Sequence, residues 1–153
     1  MQFGRVISLG GVCQVSHQIE RKYGAHPTSP FDWLVTPLGS IERILADDGT
    51  RFGQDVFVEE TLAICKAYGV GYHHEFPRDS EQKPIVSSEN RNVCGGKLSY
   101  KYSKFVQTLS DNMPTLFIRM LGHHNNPIAV PYIPDDDPVS NSDLRAESDQ
   151  VRA

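Results

Sequence analysis

The segment VISLGGVCQVSHQIERKYG, residues 6–24, constrains the fold more than any other. The apolar run RVISL, residues 5–9, suits a short buried strand. Gly10 and Gly11 break it at once. From Val12 the apolar positions Val12, Val15, Ile19 and Tyr23 recur at helical spacing, and Gly24 suits the residue after a helix C-terminus. A strand that passes through a glycine turn straight into a helix is a building unit of α/β folds, with α+β as the neighbouring alternative. Cys13 falls at the point where strand gives way to helix.

Further along, HPTSPFDWLVTP, residues 26–37, holds three prolines and the sole tryptophan, and reads as a structured loop. Thr36-Pro37 resembles an N-cap followed by a first-turn proline, starting a helix that buries Ile41, Ile44 and Leu45 and stops near Gly49. Residues 54–76 are ambiguous. TLAICKAYG fits a short helix or a strand entering a hairpin with GVGYHHEF. The second half favours strand, with Val70, Tyr72, His74 and Phe76 on one face. Residues 78–96 read as polar and irregular. An amphipathic helix follows, with Leu98, Tyr102, Phe105, Val106 and Leu109 on one stripe and Asn112-Met113-Pro114 as its end. TLFIRML, residues 115–121, reads as another buried strand. These elements predict an α/β fold: a few-stranded sheet packed by about three helices. The domain is expected over residues 1–121, with residues 122–153 a Pro- and Asp-rich disordered tail.

Composition narrows the partners. In 153 residues the net charge is −4, and the last twenty residues carry all of it. The rest is formally neutral and has no clustered basic surface, so no nucleic-acid partner is expected. No stretch nears the roughly 20 apolar residues of a membrane helix, so no membrane partner is expected either. The N-terminus lacks the apolar core of a signal peptide, and the expected location is cytoplasmic. No cofactor is expected, because SLGGVC lacks the spacing of both the dinucleotide and the P-loop fingerprints.

Cys13, Cys65 and Cys94 are odd in number and widely spaced, which gives neither a disulfide framework nor a zinc knuckle. A free cysteine is by default a small buried hydrophobe. Cys13 differs because a helix N-terminus stabilises thiolate and offers N–H groups that can hold an oxyanion. Gly10 and Gly11 would leave a substrate room to approach. A nucleophilic thiol needs a base. His74 is the leading candidate, with His73 and His17 as rivals. His123-His124 lacks supporting metal-ligand spacing. Asp32, between Phe31 and Trp33, either caps a local turn or orients a histidine. Arg119 interrupts an apolar strand and either snorkels to the surface or binds an anion. Cys65 and Cys94 have no comparable setting.

VISLGGVCQVSHQIERKYG, SPFDWLVTP, YHHEFP and KYSKFVQTL…PTLFIR occur in that order. Together they resemble the domain-of-unknown-function family described as papain-like cysteine peptidases. The resemblance covers roughly residues 4–121. It rests on SLG-x-x-C with PFDW, and less specifically on a histidine before an acidic residue and phenylalanine. It implies Cys13 as nucleophile and His74 as general base, in the chain order of papain-like enzymes. The chain departs from papain itself in having GGVCQ around the cysteine, and its upstream segment offers only Gln2 for an oxyanion hole.

The expected function is therefore a cysteine-nucleophile hydrolase or acyltransferase acting on an amide or ester. Cys13, His74 and Asp32 are the catalytic candidates, and Gly10, Gly11 and Arg119 the substrate-binding ones. The partner would be a peptide, acyl or small-molecule substrate. The alternatives are a ligand-binding α/β module, taking a nucleotide, sugar or phosphate at the Gly10-Gly11 turn, or an inactive, C-terminally truncated fragment.

Overall fold

The computed structural model describes residues 3–11 and 13–120. The expected disordered tail, His123-His124 and Val12 lie outside them. Within the described residues the order is β1 (Arg5–Ser8), α1 (Gln14–Tyr23), β2 (Leu34–Val35), α2 (Leu38–Ala46), β3 (Val56–Glu59), β4 (Leu62–Cys65), β5 (Val70–Tyr72), α3 (Ser88–Leu109) and β6 (Thr115–Ile118). The fold is mixed α/β with two small sheets.

The first sheet joins the two ends of the described chain. β1 and β6 run parallel, with Arg5 opposite Thr115 and Ser8 opposite Ile118. Side chains alternate across a strand, so this pair buries two faces. Val6 and Ile118 pack with Val15 and Ile19 of α1. Ile7 and Leu9 turn the other way, into the main core. The spacing of Val15 and Ile19 thus makes α1 a cover for one face of the pair. Tyr23, expected on the same stripe, is half exposed.

The second sheet is antiparallel, in the order β2-β5-β4-β3. The ambiguous TLAICKAYG segment is resolved as strand and turn, because Gly69 N–H closes onto Cys65 O at 2.8 Å and sends the chain back as β5. Leu62, Ala63, Ile64 and Cys65 are all buried, and so are Val70, Gly71 and Tyr72. Such strands read as continuous apolar runs instead of alternating ones. The sheet packs on α2 and α3 through Ile44, Phe31, Tyr72, Leu98 and Phe105.

Three expectations need correction. First, α2 has Pro37 as its N-cap, and Thr36 caps nothing: its Oγ1 is buried without a partner among the described residues. Leu45 is exposed, while Ile41 and Ile44 are buried as expected. Second, α3 starts at Ser88, inside the segment read as irregular, and Ser87 Oγ caps it by accepting Asn90 N–H at 3.1 Å. Gly95 and Gly96 lie within this helix. In the fold, Gly95 is a notch: a Cβ there would stand 2.6 Å from Phe52 O, so the 49–54 turn rests directly on the helix. Third, β6 is half-buried instead of fully buried, and Phe117 is exposed.

Candidate functional site

The turn after β1 is held from several sides. Gly10 and Gly11 have φ of 72° and 98°, which glycine adopts without strain. On the side where a Cβ would stand, Gly10 faces Phe31 O at 2.9 Å and Thr36 Oγ1 at 3.2 Å, and Gly11 faces Met120 O. The room these glycines leave there is filled by the protein's own chain. Gly10 N–H donates to Ser8 Oγ at 3.1 Å, and Thr36 N–H donates to Gly11 O at 3.3 Å. Arg119 is half-buried, and its Nη1 donates to Thr36 O at 2.7 Å and Leu9 O at 3.2 Å. One guanidinium nitrogen thus ties the end of β1 to the entry of α2.

Cys13 is the N-cap of α1, and its side chain accepts none of the first-turn N–H groups. Those groups lack intrahelical acceptors by the geometry of any helix start. Cys13 is half-exposed, whereas Cys65 and Cys94 are buried. Burial pushes the Cys65 thiol up and the Cys94 thiol up to about 12.

One turn along α1, Ser16 Oγ lies 3.1 Å from His26 Nε2. His26 Nδ1 is 3.0 Å from Pro27 O. Nε2 also lies 3.3 Å from Ser16 O, so each ring nitrogen faces a carbonyl that can only accept, and the Ser16 hydroxyl can pair with Nε2 in either tautomer. Asp32 sits behind this pair, 5 % exposed. Its Oδ2 accepts Ser29 N–H at 2.9 Å, and its N–H donates back to Ser29 O at 3.2 Å. Asp32 therefore braces the turn that precedes it. Its Oδ1 is buried with no hydrogen-bond partner among the described residues. Burial raises the Asp32 pKa, opposed by the Ser29 N–H, the charge of His26, the nearby Ser16 hydroxyl and the charge of Lys101.

The next residue, Trp33, has φ 67°, a left-handed conformation that costs a bulky side chain about 1–3 kcal/mol. The twist sends Asp32 inward and the indole outward. Trp33 meets His74 edge-on, with ring centroids 6.1 Å apart. His74 is not on a strand. β5 ends at Tyr72, and the chain bends through residues 73–76. Arg78 Nη2, donating to His73 O at 2.9 Å, and Lys97, bonded to Glu75 at 2.6 Å, hold the bend. Both histidines are exposed, and His73 Nδ1 is 3.2 Å from His74 Nε2. Burial and the charges of His74 and Arg78 lower the His73 pKa.

The structure thus gathers Gly10, Gly11, Cys13 and Arg119 around one turn, with Asp32 beside α1. His74 stands at the neighbouring Trp33 corner. Among the described residues no hydrogen bond joins His74 to Cys13 or to Asp32. Sequence reading missed Ser16 and His26, because a loop histidine and a helical serine carry no motif. It also missed the concentration of buried polar side chains here: Ser8, Ser16, Ser29, Asp32, Thr36 and Ser40. Among the described residues no group of three or more His, Cys, Asp or Glu could hold a metal ion, and no helix is long and apolar enough to cross a membrane. In comparisons with known proteins the chain matches no family model, no curated protein and no solved structure.

Proposed function

We propose that the chain is a cysteine-nucleophile hydrolase or acyltransferase acting on an amide or ester, with Cys13 as nucleophile and His74 as its acid–base partner. One observation carries this reading. Of three thiols, only Cys13 reaches solvent, and it stands at a helix start whose N–H groups can receive an oxyanion. The Cys13 thiolate would attack the carbonyl carbon. The His74 imidazolium would protonate the leaving group. Water, deprotonated by the imidazole, would then release the acyl group from sulfur. Asp32 contributes by fixing the loop that presents Trp33 to His74. The substrate class is a peptide, acyl or small-molecule ester or amide, and the site of action is the cytosol.

The test is covalent labelling with an electrophilic acyl probe, read by peptide mass spectrometry. Labelling is expected at Cys13 and lost in Cys13→Ala. In His74→Ala it should slow by roughly 10²-fold or more, the usual share of general acid–base catalysis. His17→Ala should leave it intact. Labelling no faster than that of a small-molecule thiol would end this reading.

A second reading, a ligand-binding module at the same turn, is favoured by Asp32 Oδ1, Thr36 Oγ1 and Ser40 Oγ, buried atoms without partners among the described residues. A thermal shift with a nucleotide, sugar or phosphate would support it.

A further inference from the structure

The loop before β2 and the bend after β5 lie side by side, since Leu34 pairs with Tyr72. Each segment sends one side chain out and an adjacent one in. Trp33 and His74 point outward and meet edge-on. Asp32, 5 % exposed, and Glu75, with a side chain 2 % exposed, point inward. A carboxylate buried in this way is stabilised either by holding its proton or by a cation at hand.

α3 supplies it. Lys101 has a side chain only 14 % exposed, with Nζ 4.0 Å from Glu75 Oε1. Its charge also favours the ionised form of Asp32, though less than the Ser29 N–H and His26 do. Lys97 bonds the other Glu75 oxygen at 2.6 Å, but its side chain is half exposed. The groups facing Lys101 are Glu75, Lys97, Asp32 and Cys94. The two carboxylates attract it and Lys97 repels it, while the Cys94 thiol, pushed up to about 12, carries almost no charge at neutral pH.

We infer that Lys101 is a positioning residue for the Trp33–His74 corner: its ammonium, 4.0 Å from Glu75 Oε1 and within electrostatic reach of Asp32, holds together the two segments that carry those rings. Lys101 touches no substrate in this scheme. It supplies the charge that makes it stable for Asp32 and Glu75 to turn inward, and so for Trp33 to keep its left-handed backbone beside His74. Its functional meaning rests on His74 as the acid–base group, but the geometry does not.

The experiment uses the full chain as parent, Lys101→Met, Lys101→Arg and Glu75→Gln. Two readouts are taken: the emission spectrum of the only tryptophan, and the residue-resolved rate of His74 modification by diethylpyrocarbonate, with the exposed His17 as internal control. Lys101→Met should shift the Trp33 emission and change the His74 rate several-fold while His17 stays constant, and Lys101→Arg should restore both. If Lys101→Met does not fold, Glu75→Gln decides by the same two readouts. A folded variant with Trp33 emission and His74 reactivity like the parent's overturns the inference. Acyl-probe labelling of Cys13 in the parent is scored separately, so a failed nucleophile and a failed positioning role give different results.

Discussion

In the native protein, alkylation should single out Cys13 by two to three orders of magnitude. The perturbation is iodoacetamide at pH 8, applied to the full chain with and without denaturant. The two other thiols are protected twice. An ordinary thiol, with a pKa of about 8.5, is about one-quarter thiolate at that pH. Cys94, pushed up to about 12, holds about one part in ten thousand. The ratio is roughly 2,000. The alternative route is opening of the fold, and even about 5 kcal/mol of stability suppresses it by roughly 10³–10⁴. Cys65, fully buried, donates to Arg51 O at 3.7 Å and Gln54 O at 3.6 Å and is protected in the same manner. If half-exposure slows Cys13 about tenfold, a gap of about 10²–10³ remains. The assay is peptide mass spectrometry over a time course. One label per native chain, on Cys13, and three in denaturant is the expected outcome. Native labelling of Cys94 or Cys65 within tenfold of Cys13 would refute both the burial argument and the proposed nucleophile.

Two carboxylates should respond to pH with opposite sign. Burial raises the Asp32 pKa, so the folded chain holds that proton more tightly than the unfolded one, and the contribution of Asp32 to stability falls as pH rises above the ordinary carboxylate range. Asp32→Asn keeps an acceptor for Ser29 N–H, and its stability relative to the parent should improve between about pH 4 and pH 7 in urea titrations; a flat or falling difference would contradict this. Asp47 is lowered instead, by the Tyr68 hydroxyl, which donates to its Oδ1 at 2.6 Å, and by Arg51. Its stabilising share is present at neutral pH and lost as pH falls through its depressed value. Tyr68→Phe removes that bond and strands Arg51 N–H, which donates to the hydroxyl at 2.8 Å. The expected loss is about 2 kcal/mol at pH 7 and less at pH 3, read by the same titrations.

Local chemistry put Leu45 and Val106 inside, and both are exposed, but it made the β1–turn–α1 unit, Ile41 and Ile44 of α2 and the stripe Leu98–Tyr102–Phe105 legible. Each is a periodic pattern bounded by residues that stop it: Gly10-Gly11, Gly24 and Pro114. The first two turns of α3 were not legible, because Gly95 looks like a helix breaker unless Phe52 is known to rest on it. His74 was misplaced for a related reason. Alternation through residues 70–76 extends the strand, whereas Arg78, five residues past His73, and Lys97, from α3, hold it in a bend. For the site, sequence singled out Cys13 as unlike the other two cysteines, and the structure agrees in exposure. It found Asp32 and Arg119 but not their roles: one braces the Ser29 turn, the other ties Leu9 to Thr36.

Spacing along the chain suffices for the fold class, the position of Cys13 at a helix start and the lack of any apolar stretch long enough for a membrane helix. Each follows from interactions within a few residues, where spacing and turn chemistry suffice. The tertiary contacts settle which thiol reaches solvent, that Glu75 meets Lys97 and Lys101 of α3, and that Trp33 is twisted outward against His74. Those depend on charges and rings brought together across dozens of residues, and no local pattern encodes such contacts.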